Sequence, residues 1–401
     1  MKILKDSMIY IVGELISKAM PFILLPYLTR KLGAEGIGQL SFFLSLVVLF
    51  QIYIGFNQGG ALARYYYTKG KKNINYIFVA SLLHSVTFSV ISLFVTLSFS
   101  LSIEYYYCIL ISLFSSIVSL GLSYYQCQKI PTSYIKIQFL INVISLVGTV
   151  VTFEFYSANV EGRLFWVLFS NVIVSIFLCL FVFFSKKIKK SIKILVSYWK
   201  YIFLFSYPLL LHSIASFGKT SLDRIIIYDK FSASVLGIYY TAFQVSSVIS
   251  VVLMALNKAL MPYYYERLKS KDITIFDAIR LSKLSLLLPV VFSFIATLLP
   301  DRLYSLVLGD GFENINIYIP IFTFSFFMAI PYYILGGYLM YHGENLKLSA
   351  CTILSSFVHV GSVFVLSSYG IEYVAYASAI SSMSLLLLLY VSIRKNKINL
   401  L

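Results

Sequence analysis

Charge is what this sequence has least of. Asp, Glu, Lys and Arg make up 12% of its 401 residues, about half the ~25% of an ordinary soluble domain. That scarcity excludes a water-exposed globular surface. Cysteine is equally uninformative as chemistry. Cys108, Cys127, Cys179 and Cys351 are scattered through apolar segments with no CxxC pair, so neither a disulfide framework nor a thiolate metal site is expected, and buried free thiols are the simpler reading. No P-loop, no H-E-x-x-H and no nucleophile elbow occurs, so any nucleotide-driven activity would need a partner protein. Alternating segments of ~10 residues, the mark of a membrane β-barrel, are absent too. The apolar run from Met8 is interrupted by Glu14 and Lys18 and no A-x-A-like site follows, so the first helix is expected to stay in the protein.

What is present is apolar sequence from end to end: 59% hydrophobic residues and a mean hydropathy of +0.86. Counting runs of ~20 residues predicts about twelve spans, near 9–29, 40–59, 75–98, 105–126, 134–154, 163–184, 204–228, 233–257, 281–300, 314–338, 346–368 and 372–393. The predicted fold class is therefore all-α and polytopic. Pro26, Pro208, Pro289, Pro320 and Pro331 fall in or near spans, where proline marks kinks. The net charge of +16 is one-sided. With the N-terminus inside, 24 of the 32 basic residues fall on inner segments, while Glu104, Glu154, Glu161, Asp301, Asp310, Glu313 and Glu372 fall outside. This bias predicts cytoplasmic termini and offers nucleic acid no role. The longest polar stretch holds Lys186, Lys187, Lys189 and Lys190. It reads as a basic cytoplasmic linker, 185–202, between six-helix lobes at 1–184 and 203–401.

An internal repeat supports that halving. Leu32-Gly33-Ala34-Glu35-Gly36-Ile37-Gly38-Gln39-Leu40 parallels Phe231-Ser232-Ala233-Ser234-Val235-Leu236-Gly237-Ile238-Tyr239. Arg64-Tyr65-Tyr66-Tyr67 likewise parallels Pro262-Tyr263-Tyr264-Tyr265. With an even number of spans in each half, the repeats would be parallel, with a cleft between the lobes and alternating access by rocking.

Ionisable groups inside spans are costly, about 2.5–3.5 kcal/mol each at the bilayer centre on insertion scales, and mark a pathway or a packing lock. Glu14 and Lys18 stand one helical turn apart, as do Lys219 and Asp223, so each pair could close on itself. On a continuous seventh span, His212, Ser216, Lys219 and Asp223 would form one polar stripe, and Gln244 and Lys258 share a face of the eighth. Cations in both halves suit an anionic substrate; two packed ion pairs are the alternative. Arg224 could instead sit at the outer interface, and Arg30 and Arg64 read first as loop anchors. His84 and His359 stand alone on apolar segments and read as hydrogen-bonded packing residues. Asn57 and Gln58, beside Gly59-Gly60, could unwind the end of the second span. The candidate translocation set is Glu14, Lys18, Arg30, Arg64, His212, Lys219, Asp223, Arg224, Gln244 and Lys258.

The order Pro208-Leu209-Leu210-Leu211-His212, Asp223-Arg224-Ile225-Ile226-Ile227, Leu236-Gly237-Ile238-Tyr239, Ala242-Phe243-Gln244 and Asn257-Lys258-Ala259-Leu260-Met261-Pro262-Tyr263 resembles the Wzx-type polysaccharide repeat-unit flippases. These belong to the multidrug/oligosaccharidyl-lipid/polysaccharide exporter superfamily. Arg30-Lys31-Leu32-Gly33 and Tyr125-Gln126 before Lys129 fit the same resemblance. It implies two six-helix lobes around a central cleft in the bacterial cytoplasmic membrane. It implies translocation of undecaprenyl-diphosphate-linked oligosaccharide, as in O-antigen and lipopolysaccharide assembly, with Lys18, Lys219, Arg224 and Lys258 meeting the diphosphate. Expected partners are the lipid-linked oligosaccharide, membrane lipids, and the glycan polymerase with its chain-length machinery. No cofactor is expected, and coupling to a proton or a sodium gradient stays open. The competing readings are a cation-coupled drug exporter of the same superfamily, which would favour an acidic cleft, and a membrane glycan polymerase, whose large outer loops are missing.

Overall fold

Glycine and proline decide where these long apolar runs bend, and the helices of the computed structural model follow them. It describes residues 2–184 and 192–398, with side chains throughout 18–180 and 192–394. The Glu14 side chain and the linker lysines Lys186, Lys187, Lys189 and Lys190 lie outside the described residues. Every regular element among those residues is a helix.

The first, α1, runs Lys2–Ile54 and joins the first two expected spans through one non-helical residue, Gly33, at φ 65°. A left-handed φ is one that glycine adopts at no steric cost. The segment between Arg30 and Gln39, expected as a loop, is therefore helical. At the other end, Phe56 and Asn57 both take positive φ and break the helix before α2, Gln58–Lys69, where the glycine-rich sequence anticipated unwinding. Then come α3 Ile74–Ser98, α4 Ile103–Cys127, α5 Pro131–Phe155, α6 Val160–Phe184 and α7 Ile192–Thr220. The expected linker is thus helical from Ile192 onward; no glycine or proline stops a helix there.

The expected seventh span, 204–228, is not continuous. Ser221 (φ −145°, ψ −19°) separates α7 from α8, Leu222–Lys230. Next is α9, Ala233–Lys269, capped by the Ser232 hydroxyl accepting from the Val235 N–H. Its 37 residues rise about 55 Å, well beyond a ~30 Å hydrocarbon core. The remaining helices are α10 Ile275–Ser285, α11 Leu287–Thr297, α12 Asp301–Leu308, α13 Ile315–Phe327, α14 Ala329–Tyr341, α15 Asn345–Leu366, α16 Ile371–Val374 and α17 Tyr376–Ile398. Proline sets two of these boundaries. It strips the hydrogen bond from the carbonyl four residues earlier; α10 ends at Ser285, four before Pro289, and α13 at Phe327, four before Pro331.

Eleven stretches of the described residues are long and apolar enough to cross a membrane. The first, Lys18–Lys69, has 52 residues, enough for two crossings of ~20. Phe94, Phe177, Leu211, Leu284 and Leu387 are exposed along them, a surface suited to lipid. The protein is a multi-pass integral membrane protein.

By packing, the chain forms two units, Met1–Met20 with Leu40–Phe217, and Pro21–Gln39 with Gly218–Leu401. The first has a core around Leu62, Ile77, Leu120 and Ile202; the second around Leu335, Leu339, Leu389 and Ile393.

Candidate functional site

In the second unit the two copies of the sequence repeat touch. A Cβ built on Gly38 would lie 1.7 Å from the Ala233 carbonyl oxygen, and one on Gly237 1.8 Å from that of Ala34. Ala34 and Gly38 correspond to Ala233 and Gly237 at a shift of 199 residues (233 − 34 and 237 − 38), so the contact is reciprocal, as across a local two-fold axis. Ala-x-x-x-Gly in each copy lets the backbones meet, and no side chain larger than hydrogen fits at either glycine. Ile37 and Leu236, also 199 apart, are both fully buried beside it.

The break at Ser221 creates the charged region of this unit. It leaves Lys219 in the last turn of α7 and Asp223 in the first turn of α8. A cation at a helix C-terminus and a carboxylate at an N-terminus both sit at the favourable end of a helix dipole. The same break overturns the expected Lys219–Asp223 pair and the continuous stripe from His212, because spacing of one turn means proximity only along an unbroken helix. Asp223, buried, instead accepts from the Tyr239 hydroxyl at 2.7 Å and from the Arg224 backbone N–H at 2.9 Å. Tyr239 is fixed in turn by edge contacts with Tyr318 and Phe322. Lys219, half-buried, reaches the Ser355 hydroxyl at 3.5 Å, and Ser355 donates to the Ser381 carbonyl at 2.8 Å. The Arg224 guanidinium lies over Tyr240 and Phe243, 4.8 and 5.1 Å from the ring centroids, a cation–π arrangement.

One turn along α15 from Ser355 stands His359, 1% exposed. Neither ring nitrogen has a hydrogen-bond partner among the described residues. The Ala377 backbone lies nearby but outside hydrogen-bond geometry, and Asp223 and Lys219 are the charged groups close enough to act on the ring. The burial of His359 fits the sequence reading of a packing residue, while the hydrogen bond expected with that reading is absent at standard geometry among the described residues.

In the first unit, His84 behaves as expected. The helix break after Ile54 frees the carbonyls of Tyr53 and Ile54, which the apolar phase cannot solvate. Ser85 and Gln58 donate to Ile54 at 2.8 and 3.3 Å. The indole N–H of Trp199 donates to Nδ1 of His84 at 3.2 Å, and Nε2 stands 3.0 Å from the Tyr53 carbonyl. Indole can only donate, so Nδ1 accepts and Nε2 carries the proton that Tyr53 receives.

The other candidates are dispersed. Lys18 is exposed on α1 within the first unit, and Arg64, exposed on α2, has its guanidinium 5.5 Å from the Phe205 ring centroid. Arg30 donates to the Leu306 carbonyl near the end of α12, where Gly309 (φ 88°) closes the helix against the Arg30 side chain; it clamps α12 to α1. His212 and Lys258 are exposed on α7 and α9, and Gln244 is half-buried on α9. Of the ten, the fold gathers Lys219, Asp223 and Arg224, and adds Tyr239, Ser355 and His359. Among the described residues no cluster of His, Cys, Asp or Glu could hold a metal ion.

Known proteins resemble this chain over nearly its whole length. A protein of the Haemophilus influenzae Lsg locus is 38% identical, covering 97% of this chain and 98% of its own. An uncharacterized membrane protein of the same species is 35% identical over 97% and 96%. Among solved structures, the lipid II flippase MurJ in an inward closed conformation superposes with a TM-score of 0.70 at 11% identity, covering 96% of this chain and 87% of MurJ. An inward-facing MATE-family multidrug resistance transporter of the MOP superfamily gives 0.69 at 14%, covering 94% of each. These likenesses establish a shared fold. The family model described as "Polysaccharide biosynthesis protein" matches residues 3–266, more than half of the chain, and with the H. influenzae relatives this shows that the chain belongs to the polysaccharide biosynthesis protein family.

Proposed function

We propose that the protein is a flippase that carries undecaprenyl-diphosphate-linked oligosaccharide repeat units from the inner to the outer leaflet of the bacterial cytoplasmic membrane, with both termini cytoplasmic. The observation that carries this reading is Lys219. It is a half-buried ammonium at a helix break in an otherwise apolar segment, held by a hydroxyl and not neutralised by Asp223. Such a group suits a diphosphate, for which Lys18, Arg224 and Lys258 would supply further charge along the path. Asp223, already satisfied by Tyr239 and Arg224, offers little to the cationic substrates of a drug exporter.

Alternating access is the proposed cycle, driven by a proton or sodium gradient. The sequence repeat, with its reciprocal Gly38–Ala233 and Gly237–Ala34 contact, supports it, because related halves are the architecture that rocking transporters use. Glycan polymerase and chain-length proteins would receive the product.

The test is a deletion strain of the host bacterium. Lipid-linked repeat units should accumulate on the cytoplasmic leaflet, and the wild-type gene should clear them while Lys219→Ala, inserted at normal levels, should not. Accumulation on the outer leaflet would overturn the reading in favour of a polymerase.

A further inference from the structure

Between α9 and α14, within the second unit, lies a groove of about 300 Å³ with Leu253, Leu256 and Leu260 on one wall and Ile330 and Ile334 on the other. Its floor is built, not incidental. The Tyr264 hydroxyl donates to the Ile334 carbonyl at 3.1 Å, and Met261 and Tyr264 pack against Gly337, where an added Cβ would stand 3.2–3.3 Å from them. Ile330 and Ile334 stand on α14, just past the proline-set boundary at Met328.

Two polar groups interrupt this apolar lining. Asn257 and Tyr333 line the groove, and neither side chain forms a hydrogen bond with the described residues. Fatty-acyl chains cannot supply partners to these groups, so a ligand with a polar head suits the groove better than an acyl chain alone. A pocket that is mostly apolar with a few convergent polar groups is the usual form of a ligand site. Depth adds a second argument. Asn257 lies 24 residues beyond the start of α9 at Ala233, about 36 Å along the axis, which the proposed topology puts at the inner interface. There its neighbour Lys258, exposed on the same helix, supplies positive charge beside the groove.

We infer that the groove between α9 and α14 is a binding site for the prenyl diphosphate portion of the lipid carrier. The first isoprene units would lie along Leu253, Leu256, Ile330 and Ile334, and the diphosphate would be received at Asn257 and Lys258. The inference rests on the flippase reading and deepens it. It adds a first contact with the carrier lipid, at α9 and α14, ahead of the charged break at Ser221 on the proposed path.

The experiment is native mass spectrometry of the purified full-length protein with undecaprenyl diphosphate lacking sugar, in competition with phosphatidylglycerol. Leu256→Trp fills the groove from a position already 51% exposed, so it should fold normally; Asn257→Leu removes the amide at similar volume. Each should lower undecaprenyl diphosphate retention at least fivefold, with phosphatidylglycerol retention and the melting temperature unchanged. Retention at the wild-type level in both variants, or displacement of the probe by equimolar phosphatidylglycerol, overturns the groove assignment alone. A wild-type protein that retains no undecaprenyl diphosphate overturns the flippase reading with it.

Discussion

His84 and His359 are buried to nearly the same degree, 3% and 1% exposed, and each stands beside an interrupted membrane helix, yet their surroundings are opposite. Around His84 the break at Gly55–Asn57 is sealed by neutral donors and acceptors: Ser85 and Gln58 on the Ile54 carbonyl, His84 on that of Tyr53, and Trp199 on His84. Around His359 the break at Ser221 carries Lys219, Asp223 and Arg224, and the imidazole nitrogens make no hydrogen bond of standard geometry among the described residues. Neutral, closed networks hold a fold. Charged, incompletely matched ones are a standing cost, tolerated in a membrane where they serve a pathway. Under the proposed function, the first break serves stability and the second is the candidate for translocation.

Exchanging the two histidines for leucine should separate these roles. His84→Leu leaves the Tyr53 carbonyl unmatched, at about 1–3 kcal/mol for such a group, and frees the N–H of the partly exposed Trp199 at smaller cost. The melting temperature in detergent should fall, while transport per folded molecule stays at the wild-type level. An unchanged melting curve would break the contrast from the first unit's side. Next in size, Tyr239→Phe removes the 2.7 Å donor from Asp223; loss of a hydrogen bond to a charged group should destabilise by about 1.5–3 kcal/mol. Denaturation of Tyr239→Phe with and without Asp223→Asn checks this, since the double variant should recover most of the loss. His359→Leu should have the smallest effect on stability, within about 1 kcal/mol, because an apolar replacement of an unmatched buried polar group is close to neutral. Its transport should nevertheless fall. A His359→Leu protein that melts early and transports normally would make His359 a packing residue after all.

Much of the architecture was legible in the sequence. Apolar runs of spanning length, prolines at 289 and 331, and the helix end at Asn57 each act through local backbone chemistry, so local reading finds them. The Ala34/Gly38 and Ala233/Gly237 repeat was legible as well, because close backbone contact restricts residue type. The site was read less well. Lys219 and Asp223 look paired on any helical wheel, and only the non-helical Ser221, which has no glycine or proline signature of its own, parts them. His359 was set aside for want of a neighbour in sequence. Its surroundings come from α7, α8 and α17, and long-range packing of that kind leaves no local mark. Arg30, a candidate by charge, proved to be engaged with Leu306, 276 residues away.

The central claim is that the charged break of the second unit, and not the neutral break of the first, acts on the substrate. It is tested most directly by reconstituting wild-type, Lys219→Ala and His84→Leu proteins in liposomes at equal folded amounts. The movement of a labelled undecaprenyl-diphosphate-linked oligosaccharide between leaflets is then followed. Losing one charged contact worth about 1.5–3 kcal/mol should slow translocation by Lys219→Ala roughly 10- to 150-fold, with His84→Leu at the wild-type rate. Equal rates for wild type and Lys219→Ala would contradict the account.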